Sequence, residues 1–161
     1  MHEIEGTPDD DRLRGGRHRD RIDGGAGDDV LIGGDGRDHL FGGDGDDRIY
    51  GGADHNLLTG GAGSDRFVFT KIGDNPLGEQ DIVMDFQQGE DKVLFRDEFL
   101  ENGPLHFIGE HAFSGTPGEV RFVIGTSGNT GVSVDLDGDM RPDAQILFIG
   151  EVHFQKSDFS F

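Results

Sequence analysis

The chain has 161 residues, of which only 32% are hydrophobic, with no Trp and a single Tyr. That length allows one domain or two small ones, and that composition excludes a large conventionally packed core. Acids outnumber bases 33 to 14, a formal charge of −19, which repels nucleic acid and anionic membranes and invites a cation. With no Cys there is no disulfide framework, no zinc-thiolate site and no cysteine nucleophile.

Residues 1–5 read as a short N-terminal tail without the basic-then-apolar layout of a secretory leader, and no apolar stretch is long enough for membrane insertion. From Gly6 to Arg66 and on to Val68, the chain falls into seven consecutive rows of nine without an insertion. The first column is Gly in every row, and the second is Gly in all but row one, which has Thr7. The sixth column reads Asp11, Asp20, Asp29, Asp38, Asp47, Asn56 and Asp65. The eighth reads Leu13, Ile22, Leu31, Leu40, Ile49, Leu58 and Phe67.

Each column has a physical reason. Paired glycines accept positive φ, so the chain turns sharply and points carbonyls inward. The aspartate places a hard charged oxygen beside those carbonyls. The aliphatic residue two places later sits on a short strand and points away from its polar neighbours. One row alone cannot bury its single apolar residue, so rows must stack. A cage of carbonyl and carboxylate oxygens suits Ca²⁺; Mg²⁺ keeps its waters and zinc prefers nitrogen and sulfur.

The second half, residues 69–161, changes character. Phe41 stands alone before Phe67, and the other phenylalanines of the 13 fall between Phe67 and Phe161. Alternation predicts strands over 67–69, 81–86, 92–95, 105–108, 120–124, 132–135 and 145–149. Turns are expected at Gly73–Pro76 and Gln87–Asp91, and one short helical turn near His111–Phe113. Asp135, Asp137, Asp139 and Asp143 are spaced like the opening of an EF-hand loop, but Met140 stands where that loop needs Gly. Calcium binding and a solvated hairpin turn are both open readings there. Asp81 is read as a ligand at the terminal turn of the roll. No catalytic constellation emerges. His106 and His111 have the wrong spacing for HExxH, and Ser114, Ser127 and Ser133 lack a G-x-S-x-G context.

The rows resemble the glycine-rich nonapeptide of the repeats-in-toxin proteins, GGxGxDxUx. With the segments 60–69, 80–93, 107–122 and 134–150, the chain resembles the C-terminal domain of the serralysin-type secreted metalloproteases. The resemblance implies an all-β fold: a right-handed parallel β-roll over 6–68, capped by an antiparallel β lobe over 69–161. It implies calcium between rows n and n+2, with the carbonyls as partners of the aspartates. Gly25, Gly27 and Asp29 then face Gly42, Asp44 and Asp47. Gly43, Gly45 and Asp47 face Gly60, Ala62 and Asp65. Gly16, His18 and Asp20 face Gly33, Asp35 and Asp38. Two poorer pairings set row one (Asp11) against row three and row four (Gly34, Gly36) against row six (Asn56). About three good calcium sites are expected.

The resemblance also implies a non-catalytic, secreted, extracellular module. A type I ABC exporter would read its C-terminus, Ser157–Phe161, and a passenger enzyme would lie in cis. The alternative is an accessory module that binds a polysaccharide, for which Arg12, Arg14, Arg17, Arg19 and Arg21 would have to form one basic patch.

Overall fold

Each nine-residue row reverses the chain once, so odd and even rows stack in two different sheets. The computed structural model describes residues 1–70, 80–96, 98–101 and 103–161; the turn expected at Gly73–Pro76 lies outside them. The rows carry β2 (Arg12–Arg14), β3 (Asp20–Ala26), β4 (Val30–Gly34), β5 (His39–Asp44), β6 (Arg48–Gly52), β7 (Leu57–Ala62) and β8 (Arg66–Phe69). Odd rows form the parallel run β2-β4-β6-β8 and even rows β3-β5-β7. Every strand pairs with the one two rows further on, as in Ile22 opposite Leu40 and Leu31 opposite Ile49.

The register carries the core. Ile22, Leu31, Leu40, Ile49, Leu58 and Phe67 are all fully buried between the two sheets, each contributing about 1.5–3 kcal/mol relative to exposure. The turns that close the rows depend on glycine. Gly43 and Gly45 have φ of 120° and 136°, and a Cβ on Gly43 would strike the carbonyl oxygen of Gly25 in the neighbouring turn. Side chains are therefore excluded there twice over, by conformation and by space.

Residues 1–5 are no tail. His2–Glu5 forms β1, paired in parallel with β3 so that Ile4 lies opposite Ile22. Ile4 thus occupies the apolar column of a row preceding row one. The stack also runs on past residue 68. β9 (Ile82–Val83) continues β7, with Val83 opposite Leu58, and β10 (Lys92–Phe95) continues β8, with Val93 opposite Phe67. The strand expected over 81–86 shrinks to two residues because Asp85 turns to receive the N–H groups of Gly60 and Gly61, both at 2.9 Å.

The lobe grows from these two sheets. β12 (Glu119–Ile124), β13 (Thr130–Asp135) and β14 (Ala144–Phe148) form an antiparallel meander, while β14 joins β9 in parallel. β11 (His106–Gly109) flanks β12, completing a nine-stranded sheet, and β15 (Phe159–Ser160) adds to β10 at the edge of a six-stranded one. Phe154 packs edge-on against Phe148 at 4.8 Å between centroids and also touches Phe86, Phe122 and Phe159. No helical turn forms at residues 111–113; among the described residues, short helical pieces lie instead at Glu98–Glu101 and Lys156–Asp158. Among the described residues no helix is long and apolar enough to cross a membrane.

Candidate metal centre

The sixth-column residues form two ladders, one along each edge of the roll. In the odd rows, the N–H of Asp11 donates to Asp29 Oδ1 (2.7 Å), Asp29 to Asp47 (2.8 Å), Asp47 to Asp65 (3.0 Å) and Asp65 to Asp91 (3.0 Å). In the even rows, Asp20 donates to Asp38 Oδ1 (2.7 Å), Asp38 to Asn56 (2.9 Å) and Asn56 to Asp81 (2.9 Å). From Asp29 and Asp38 onward, one oxygen of each side chain is thereby consumed in joining rows. The other is left for the turn.

That second oxygen has no donor at Asp29, Asp38, Asp47 and Asp65, although all four side chains are fully buried. At Asp29, Asp38 and Asp47 this oxygen lies beside a turn carbonyl of the row two further on. A Cβ on Gly24 would meet both Asp29 Oδ2 and the Gly42 carbonyl; one on Gly42 would meet Asp47 Oδ2 and the Gly60 carbonyl at 2.5 Å. One on Gly33 would meet the Gly51 carbonyl and Asp38 Oδ2 at 2.6 Å. Buried acceptors facing acceptors are destabilising unless a cation joins them. Burial, reinforced by neighbouring carboxylates, pushes Asp47 up to about 7 and Asp38 and Asp65 up to about 6. Asp29 and Asp91 are raised for the same leading reason. The donor set, hard oxygens without nitrogen or sulfur, fits calcium.

The other expected ligands divide. Row one and row two close on themselves: Asp11 Oδ2 accepts the Thr7 N–H (2.6 Å) and Asp20 Oδ2 the Gly16 N–H (2.7 Å). The carbonyls of Asp44 and Ala62 accept the N–H groups of Gly27 and Gly45, each at 2.8 Å, so one lone pair of each is already engaged between rows. The carbonyls of Gly25, Gly27, Gly43 and Gly45 face the turn two rows on, as does that of His18. Gly34 and Gly36 hold positive φ in row four, and the exposed Asp35 donates its N–H to the Gly16 carbonyl (2.9 Å). Asn56 departs from the aspartates: its Nδ2 donates to Asp81 Oδ1 (2.9 Å), Ala53 O (3.3 Å) and Asp54 O (3.4 Å).

Asp81 takes its place as the last even rung, buried at 1% exposure. Asp91 and Asp85 are further carboxylates on the stack that the period of nine missed, Asp91 accepting from the Asp65 N–H and Asp85 from those of Gly60 and Gly61. The signal was present in degenerate form: Asp81-Ile82-Val83 and Gly89-Glu90-Asp91-Lys92-Val93 keep the spacing from aspartate to apolar column while losing the paired glycines.

At the β13–β14 turn, ligand atoms of Asp135, Asp137 and Asp143 lie within 4.8 Å of one another, whereas Asp139 turns aside to accept the Arg141 N–H at 2.8 Å. The grouped carboxylates are themselves engaged. Asp135 accepts from Gly138 (2.8 Å) and Met140 (3.0 Å), Asp137 from Asp139 (3.0 Å) and Asp143 from Leu136 (2.6 Å). Of the five arginines, Arg14 and Arg17 line one pocket beside His2 and His18, and the others are divided between the two sheets and their turns. Arg12 and Arg14 lie on β2 in the six-stranded sheet, while Arg21 lies on β3, pairs with Asp23 at 3.0 Å and stacks on Phe41. Arg19 reaches His39 at 3.1 Å.

Comparison with known proteins agrees with this geometry. Residues 20–161 match the family described as peptidase M10 serralysin C terminal. Serralysin A and serralysin C of Dickeya chrysanthemi are each 37% identical over 94 residues, covering 58% of this chain and 19% of theirs. The chain thus spans about a fifth of the length of these relatives. In fold it is similar to the AlgE6R2 subunit of the Azotobacter vinelandii mannuronan C5-epimerase, with a TM-score of 0.50 at 24% identity, over 99% of this chain and 92% of that one.

Proposed function

The chain belongs to the serralysin C-terminal family, as a calcium-binding β-roll module, and we propose that it is the calcium-triggered folding and secretion module of an extracellular protein, stabilising a passenger enzyme in cis. The observation that carries this reading is the set of four buried Oδ2 atoms without donors, at Asp29, Asp38, Asp47 and Asp65. Bound calcium supplies the positive charge that these oxygens lack. The protein's part is to aim Oδ2 and the turn carbonyls at one point while Oδ1 ties the rows together.

At low free calcium, a chain with charge −19 and few apolar residues stays unfolded, because ionised carboxylates stacked in two columns repel one another. An unfolded chain can thread an export channel. Outside the cell, ion binding becomes folding free energy. Extracellular calcium modules work at about 10⁻⁴–10⁻³ M, a range that keeps the switch off in a cytosol and on outside. Once formed, the roll presents the lobe and C-terminus as one continuous structure.

Far-ultraviolet circular dichroism of resin-stripped protein, titrated with calcium at pH 8, tests the reading. The expected result is a disordered spectrum that converts cooperatively to β structure, with magnesium a poor substitute. A fully folded roll without calcium at pH 8 would overturn it.

A further inference from the structure

The even-row ladder contains one rung that differs chemically from its neighbours. Asn56 is fully buried, and its amide orientation is set by the Asp38 N–H, which requires Oδ1 as acceptor at 2.9 Å. Nδ2 is thereby directed into the turn, where neighbouring rows place a donorless Oδ2. The equivalence is geometric: a Cβ on Gly51 would meet Asn56 Nδ2 at 3.0 Å, just as one on Gly33 would meet Asp38 Oδ2 at 2.6 Å. There the amide gathers Ala53 O, Asp54 O and Asp81 Oδ1 within 3.4 Å. Two turn carbonyls and a ladder carboxylate are the kind of oxygens that a cation collects in the aspartate rows.

We propose that the Asn56 amide occupies the cation's position in the cage between row six and the Asp81 rung, so that this rung closes without calcium. The proposal rests on the calcium reading of the other rows and deepens it. Asn56 is then a fixed internal donor and no ligand. The two edges of the roll become unequal. On the odd edge, Asp29, Asp47 and Asp65 carry three consecutive donorless oxygens. On the even edge, Asp38 stands alone among the described residues, between Asp20, closed by the Gly16 N–H, and the amide of Asn56. A neutral donor in this column also relieves the charge repulsion that stacked carboxylates impose before any ion arrives.

The test is calcium stoichiometry by native mass spectrometry on the full chain, together with amide hydrogen exchange over residues 51–62 in calcium-free buffer. Asn56→Asp should take up one more calcium than the wild type, and its exchange protection over 51–62 should become calcium-dependent. Asn56→Ala, which has neither donor nor carboxylate, should keep the wild-type ion count while losing protection at this rung. The same ion count in Asn56→Asp as in the wild type would overturn the proposal, and so would a lost ion in Asn56→Ala, which would make Asn56 a ligand. A wild type that binds no calcium at all would overturn the calcium reading and this proposal with it.

Discussion

Acid should do in part what calcium does. Asp47 is pushed up to about 7 and Asp38 and Asp65 to about 6, all from 3.8, by burial first and neighbouring carboxylates second. At about 1.4 kcal/mol per pH unit, ionising Asp47 inside the metal-free roll costs on the order of 4 kcal/mol, and the other two about 3 kcal/mol each. Because the folded-state values are raised, the native roll binds more protons than the unfolded chain between about pH 4 and pH 7. Its metal-free stability is therefore retained at the acid end of that window and lost as the pH rises through 6 to 7. Protein stripped of calcium on a chelating resin, then followed by circular dichroism from pH 8 to pH 5, should gain β structure with a midpoint between about 6 and 7. Asp47→Asn keeps the Oδ1 acceptor and removes the charge, so it should shift that midpoint upward. Identical spectra at pH 5 and pH 8 would refute the electrostatic account of the buried column.

Asp47 serves two neighbouring rungs, whereas Asn56 supplies no charge, so Asp47→Ala should raise the calcium midpoint of folding several-fold and Asn56→Ala much less; equal shifts in calcium titrations would refute the pairing of rows. Gly43→Ala meets both a φ of 120° and the Gly25 carbonyl, while Gly89→Ala meets a φ of 90° in open space. The Gly89 variant should lose about 1–2 kcal/mol and the Gly43 variant at least twice that, as read by thermal melts in saturating calcium. Phe154, at 4% exposure, should cost about 3–5 kcal/mol when replaced by Ala, whereas Phe161, at 37%, should cost far less. Removing Ser157–Phe161 should abolish type I export while leaving the repeat sites able to bind calcium. It should also lower the melting temperature, because Asp158 and Phe159 are buried and β15 pairs with β10; efficient export of the truncated chain would place the signal elsewhere.

Much of the molecule was written locally. The period of nine, the glycine pairs, the aspartate column and the apolar column each state a requirement of a single turn and strand. The stacking of rows follows because one buried Leu or Ile cannot be satisfied alone. What the period could not state is how each carboxylate divides its two oxygens, since that depends on a donor two rows away. Only the folded stack spends Oδ1 on the next rung and strands Oδ2. Only it brings Asp81 and Asp91 onto ladders 25 and 26 residues from their partners, where the chain's own spacing has been broken. Asn56 reads in sequence as a weaker aspartate, and its ladder bond turns it into a donor. Met1–Glu5 lacks the glycines and the aspartate of a row, yet His2–Glu5 forms a strand with Ile4 in register with Ile22 and packed against the core. The carboxylates of Asp135, Asp137 and Asp143 are spaced like a metal loop in sequence; the hairpin gathers their ligand atoms within 4.8 Å, and the same groups also accept backbone N–H groups of that turn. Spacing determines which residues recur; the neighbours that consume their lone pairs are long-range, and only tertiary structure supplies them.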